Sequence, residues 1–252
     1  MSFGEGWDVK SRPLFILLMK IQAITKKDKF LYGDFLKNKK AKTLVVFLSG
    51  LSGSRELPLF KSISTEFLKK GFSTVRFNFC TDSDDTYKKS DAFKTIDMSF
   101  SVYIKELKNI VDSLNYSKIV LIGHSFGAII AMLFLKKYKK YAKNIKLVLW
   151  DPSRLPWPKK YVDMEKNLLK IMSKTLYNEV IRANSVKIFK SLNQKSCIIS
   201  AKDGGDKDAK KYASQTKNRG ATKLYVIKNT GHCFEGAKAQ KELVEKTLSF
   251  IQ

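Results

Sequence analysis

The sequence predicts an α/β fold with a mostly parallel central sheet, helices on both faces and a small helical cap inserted within it. Three observations carry this reading. Short apolar runs alternate with segments of helical periodicity from Thr43 to Phe250, the pattern of repeated βαβ units. Several of those runs, such as Thr43–Leu48 and Ile145–Trp150, are apolar without a polar face, as expected of strands buried on both sides in a parallel sheet. The third is Gly123-His124-Ser125-Phe126-Gly127, a G-x-S-x-G sequence set between an apolar run and a helical one, the context of a sharp strand-to-helix turn.

In chain order, Leu14–Thr25 and Phe30–Leu36 read as a leading hairpin around the polar turn Lys26–Lys29. The lysine-rich turn Asn38–Lys42 precedes strand Thr43–Leu48, which ends in a Gly/Ser loop from Ser49 to Ser54. Leu57–Lys70 has apolar residues at helical spacing and Gly71 as its stop. Phe72–Phe79 is a strand and Thr81–Lys94 a polar loop. Helix Ile96–Leu114, strand Lys118–Ile122, helix Phe126–Tyr138 and strand Ile145–Trp150 follow. Between Pro152 and Asn193 the alternation stops: a proline-stiffened turn, Arg154–Pro158, leads to amphipathic segments Tyr161–Ile171 and Thr175–Phe189 with no strand between them. This is the expected cap, residues 152–193. Strand Ser196–Ser200, helix Asp206–Thr216, strand Lys223–Ile227 and helix Gly236–Phe250 complete what reads as a single domain of 252 residues.

The formal charge of +25 raises nucleic acid or an anionic membrane as partners. Arginine, however, occurs only at Arg12, Arg55, Arg76, Arg154, Arg182 and Arg219, whereas base and phosphate recognition leans on its bidentate fork. The lysines are scattered in short clusters, so no specific nucleic-acid partner is expected, only a weak association with anionic surfaces. Cys80, Cys197 and Cys233 follow no disulfide or metal spacing, which favours a reducing, cytoplasmic setting. The apolar run Leu14–Met19 is too short for an export signal, and no run is long enough to span a bilayer.

A serine hydroxyl needs a base within hydrogen-bond reach, and the base needs an orienting carboxylate. Ser125 is the candidate nucleophile. Of the two histidines, His124 lies inside the turn, and His232 follows the last strand, at the sheet edge where the turn also lies. His232 is the candidate base. For the acid, Asp203 after strand Ser196–Ser200 is preferred because it yields the chain order Ser125, Asp203, His232. Asp151 at the end of the preceding strand competes with it, and Asp206 more weakly. The backbone amides of Leu51, in the Gly/Ser loop, and Phe126, after the nucleophile, are the candidate oxyanion donors. Trp157, Tyr161, Met164 and Leu168 in the cap are candidate pocket walls.

From Lys20 through the Gly/Ser loop, the elbow, Asp203 and Thr230-Gly231-His232 to the final helix, the chain resembles small α/β-hydrolases of the carboxylesterase, monoacylglycerol-lipase and cinnamoyl-esterase-like group. Two positions depart from that pattern. Ser49-Gly50 stands where these proteins usually carry His-Gly, and Ala128 where a further glycine is common. The resemblance implies the α/β-hydrolase fold and a serine hydrolase that cleaves short to medium acyl or aryl esters through an acyl-enzyme, with no metal or organic cofactor. The same triad also serves thioesters and peptides, and a non-catalytic scaffold binding polyanions or anionic membrane is the remaining alternative.

Overall fold

The computed structural model describes residues 16–22, 30–51, 53–79, 99–158, 172–215 and 222–252. Among the described residues, eight strands form one sheet: β1 (Ile16–Gln22), β2 (Phe30–Leu36), β3 (Thr43–Leu48), β4 (Ser73–Phe77), β5 (Lys118–His124), β6 (Ile145–Trp150), β7 (Ser196–Ala201) and β8 (Thr222–Ile227). Their spatial order is β1-β2-β4-β3-β5-β6-β7-β8. β1 pairs antiparallel with β2 and β2 antiparallel with β4, and every other pairing is parallel. The hairpin and the parallel core therefore stand as the sequence implies.

The parallel strands bury both faces because helices cover both. In β5, Ile119 and Leu121 join a core with α2 (Phe100–Leu114) and α3 (Phe126–Lys137), while Val120 and Ile122 join a second core with α1 (Pro58–Lys69) and α7 (Ala237–Ile251). This alternation is the two-residue period of a strand read out on two apolar layers. Pro58 opens α1, and Gly71 with φ 93° follows its end. Ser99 caps α2, its hydroxyl accepting from the Val102 amide at 3.2 Å, so the helix starts at Phe100. Residues 80–98, with the expected polar loop and the start of the expected helix, lie outside the described residues.

One expected helix divides. Thr175–Phe189 is two helices, α4 (Lys174–Arg182) and α5 (Ser185–Lys190), because Asn184 is extended and its side chain caps α5 through the Lys187 amide at 2.9 Å. The buried Ser185 hydroxyl meets the Leu155 amide at 2.7 Å and Tyr212 Oη at 2.6 Å, which ties the break to the turn after β6 and to α6 (Asp206–Ser214). The described parts of the expected cap join the core: Leu155, Met172, Leu176 and Val180 are buried with α2 and α3. Glu179 accepts from the first amide of α2, that of Phe100, at 2.7 Å. The expected helix Tyr161–Ile171 lies outside the described residues. Among these, no helix is long and apolar enough to cross a membrane.

Adjacent strands are laced together where their carboxyl ends leave the sheet. The Ser125 amide donates to Trp150 O, Asp151 to Ile199 O, Lys202 to Ile227 O and Asp203 to Thr230 O, at 2.8–3.2 Å. The loops after β3, β5, β6, β7 and β8 therefore meet on one edge.

Candidate active site

Ser125 sits at φ 54°, ψ −118° between β5 and α3, a conformation that costs a non-glycine residue about 1–3 kcal/mol. It is held there because the two glycines let strand, helix and neighbouring loop close up. A β-carbon at Gly127 would lie 2.3 Å from Leu48 O, and one at Gly123 would lie 2.5 Å from Ala128 Cα. Ser153 N donates to Ser125 O at 3.2 Å, and the two hydroxyls lie 3.1 Å apart. Ser153 carries no sequence signal; only the turn after Asp151-Pro152 brings it to Ser125.

His232 is fixed through its loop. Glu235 accepts from the Gly231 amide at 3.0 Å, the Phe234 amide closes on Gly231 O at 3.0 Å, and Phe234 is buried. His232 Nδ1 lies 2.5 Å from Asp151 Oδ2. The carboxylate facing the histidine is thus Asp151, and the preference for Asp203 is corrected. Asp151 is fully buried at φ 41°, directly at the end of β6, and its oxygens also accept from the amides of Ala201 and Gly205 at 2.8–3.0 Å. Asp203 lies in the turn closed by Gly204 N donating to Ala201 O, and its side chain is exposed. Asp206 pairs with Lys202 and Lys210. Gly204-Gly205 was the available clue. A β-carbon at Gly204 would stand 2.5 Å from Asp151 Oδ2, so the glycine pair is shaped to admit a carboxylate from the neighbouring strand.

His124 packs its ring 4.7 Å from that of His232, and its Nε2 lies 2.8 Å from His232 O. Donation to that carbonyl requires a proton on Nε2, and Nδ1 is buried without a partner. Burial first, and the neighbouring His232 second, push its pKa down to about 4. The unfolded chain therefore takes up this proton before the folded one does. The stability contributed is complete above about pH 6.5 and is lost as pH falls toward 4, by up to about 3 kcal/mol. We expect His124→Phe, which keeps a ring, to flatten the acid limb of the unfolding midpoint between pH 6.5 and 4. An unchanged limb contradicts the buried, neutral imidazole.

The Gly/Ser loop after β3 is anchored by side chains. Ser49 Oγ donates to Gly53 O at 3.1 Å and Gly53 N to Gly50 O at 3.0 Å, so Ser49 supplies a steadying bond of its own where the resembling proteins carry His. Further on, the Arg55 amide meets Asn78 Oδ1 at 2.6 Å and its carbonyl accepts from Arg76 at 2.5 Å, while both guanidinium groups bind the buried Asp34. Leu51 and Phe126 form one wall of a cavity of about 870 Å³ that also takes in Ser125, His232, Ser153, Trp157 and Cys233. The Phe126 amide is the first of α3, where amides have no partner within the helix. Trp157 stands 6.1 Å from the Phe126 ring, and Arg154 pairs with Asp208 at 2.6 Å where both line the cavity. Tyr161, Met164 and Leu168 lie outside the described residues. Among the described residues, no group of three or more His, Cys, Asp or Glu side chains is placed to hold a metal.

Structures of the same fold are numerous. A hydrolase from Agrobacterium vitis is 15% identical with a TM-score of 0.72, covering 96% of this chain and 100% of that one. Est1E from Butyrivibrio proteoclasticus, solved with ferulic acid bound, is 17% identical with a TM-score of 0.72 over 92% of this chain and 99% of its own. An alpha/beta hydrolase enzyme from a sediment metagenome of the Mar Chica lagoon, Morocco, is 22% identical with a TM-score of 0.64, covering 86% and 94%. No curated protein matches the chain in sequence. The family model for the alpha/beta hydrolase fold matches residues 43–196, from β3 through the elbow to the start of β7, and the chain belongs to that family.

Proposed function

We propose that this protein is a serine hydrolase of carboxylic esters. The observation that carries the reading is the buried Asp151 carboxylate set 2.5 Å from Nδ1 of His232, which lines one cavity with Ser125 on its strained turn. Asp151 holds the tautomer that leaves Nε2 free to accept the Ser125 proton as Oγ attacks the ester carbonyl. The negative oxygen of the tetrahedral adduct is held by the amides of Phe126 and Leu51. His232 then protonates the leaving alcohol, and water repeats the sequence on the acyl-enzyme. In the resting state Ser125 Oγ is bonded to Ser153, and the bond to His232 is formed in the substrate complex.

Leu51, Leu57, Phe126, Pro156, Trp157 and Pro158 give the cavity an apolar lining. This supports a short to medium acyl or an aryl ester, as does the ferulic acid bound by Est1E. The unpaired Cys197 and Cys233 support a reducing, cytoplasmic setting. Hydrolysis of p-nitrophenyl esters of increasing acyl length and of a feruloyl ester tests the assignment. Turnover is expected for short, medium and aryl acyl groups and is expected to fall for long chains. Inertness toward all of them, with cleavage of a thioester or a peptide, contradicts it.

A further inference from the structure

One set of lysines that is dispersed in sequence is gathered in space. Each crossover helix returns the chain to the amino ends of the parallel strands, and a set of lysines lies at those returns. Lys42 precedes β3, Lys118 opens β5, Lys140 and Lys143 lie in the 3₁₀ turn before β6, Lys195 precedes β7 and Lys223 lies in β8. All six are exposed. Lys69 and Lys70 at the end of α1 and Lys136 and Lys137 at the end of α3 reach the same edge. The acidic side chains that helix ends carry there, Glu66 of α1 and Asp112 of α2, are already ion-paired with Lys69 and Lys108. On the opposite edge the carboxylates of Glu56, Asp203 and Glu235 are exposed among the basic residues. The crowding of like charge registers at Lys146, whose pKa is lowered by burial and by Lys195 and Lys118.

We infer that the amino-end edge of the sheet docks on an anionic phospholipid surface. Its positive charge is carried by lysine, while Arg55 and Arg76 are buried around Asp34 and Arg154 is paired at the cavity. Lysine supplies a point charge to headgroups without the fork that reads bases. The aromatic rings of this edge suit lipid rather than single-stranded nucleic acid. Tyr138 and Tyr141 are half-buried against Phe134 and lie under the ammonium groups of Lys137 and Lys140 at 5.7 and 4.9 Å, so they are not free platforms for stacked bases. Docked in this way, the cavity beside Ser125 lies on the far edge and faces the aqueous side. The docking does not depend on the ester-hydrolase reading.

The test is cosedimentation of the full chain with vesicles of phosphatidylcholine alone or mixed with phosphatidylglycerol. Two fourfold variants of equal charge change are compared: Lys42→Glu, Lys118→Glu, Lys143→Glu, Lys195→Glu on the docking edge, and Lys202→Glu, Lys207→Glu, Lys228→Glu, Lys238→Glu on the other. Binding is expected only to the anionic vesicles, weakened at least about tenfold by the first set and less than about threefold by the second. Acetylation of the wild-type chain gives an independent readout: anionic vesicles are expected to protect Lys118, Lys140 and Lys195 and to leave Lys202 and Lys207 reactive. The inference is overturned by no binding to anionic vesicles, by equal loss in the two variants, by uniform protection, or by retention on poly(U) without vesicle binding, which assigns the edge to nucleic acid.

Discussion

Asp151→Asn is expected to lower kcat/KM for a p-nitrophenyl ester by about 10⁴-fold, and Asp203→Asn to leave it within about threefold. The contrast follows from what each carboxylate touches. Asp151 is buried and bonded to His232 Nδ1, Ala201 N and Gly205 N, so its amide analogue fits the same space. If its oxygen stays on the two backbone donors, its NH₂ faces His232 Nδ1 and places the imidazole proton on Nε2, where it can no longer accept from Ser125. Asp203 is exposed and contributes its amide to Thr230 O, a bond that Asn retains. Equal losses in the two variants, or loss only in Asp203→Asn, contradict the assignment of the acid. Steady-state kinetics with circular dichroism of each variant make the comparison.

Ser125→Ala is expected to lower kcat by about 10⁶-fold while the unfolding midpoint moves little. The proposed nucleophile and base act as a unit, so removing Oγ leaves only the proposed oxyanion amides and the cavity walls to assist water. Alanine carries the same φ 54° strain as serine, and the bonds holding the turn, Ser125 N to Trp150 O and Ser153 N to Ser125 O, are backbone bonds that persist. Residual activity within about tenfold of wild type, with the fold intact, means that another group attacks the ester.

The strands with continuous apolar runs, β3, β5 and β6, were legible to within a residue or two because burial on both faces leaves no alternative pattern. The elbow was legible because Gly123 and Gly127 answer to backbone contacts that no side chain permits. The break at Ala183-Asn184 was not, since apolar spacing runs on from Leu176 to Phe189 and the interruption depends on a cap and on Ser185 reaching Leu155. The choice of acid failed for a related reason. An aspartate ending β6 and one following β7 look equivalent in a sequence, and the decision lies in the register of two neighbouring strands and the cradle at Gly204-Gly205. Ser153 and the role of His124 beneath His232 arise from contacts between loops, which spacing along the chain does not encode. The basic edge was hidden likewise, because its lysines come from separate turns that only the repeated βαβ return brings together.

Labelling by a fluorophosphonate, with the modified peptide mapped by mass spectrometry, tests the central claim most directly. A single adduct on Ser125 of the wild type, absent from Ser125→Ala and strongly slowed in Asp151→Asn, is the predicted result. No adduct on the folded wild type, or an adduct on another serine that survives Ser125→Ala, contradicts the assignment of Ser125 as the nucleophile.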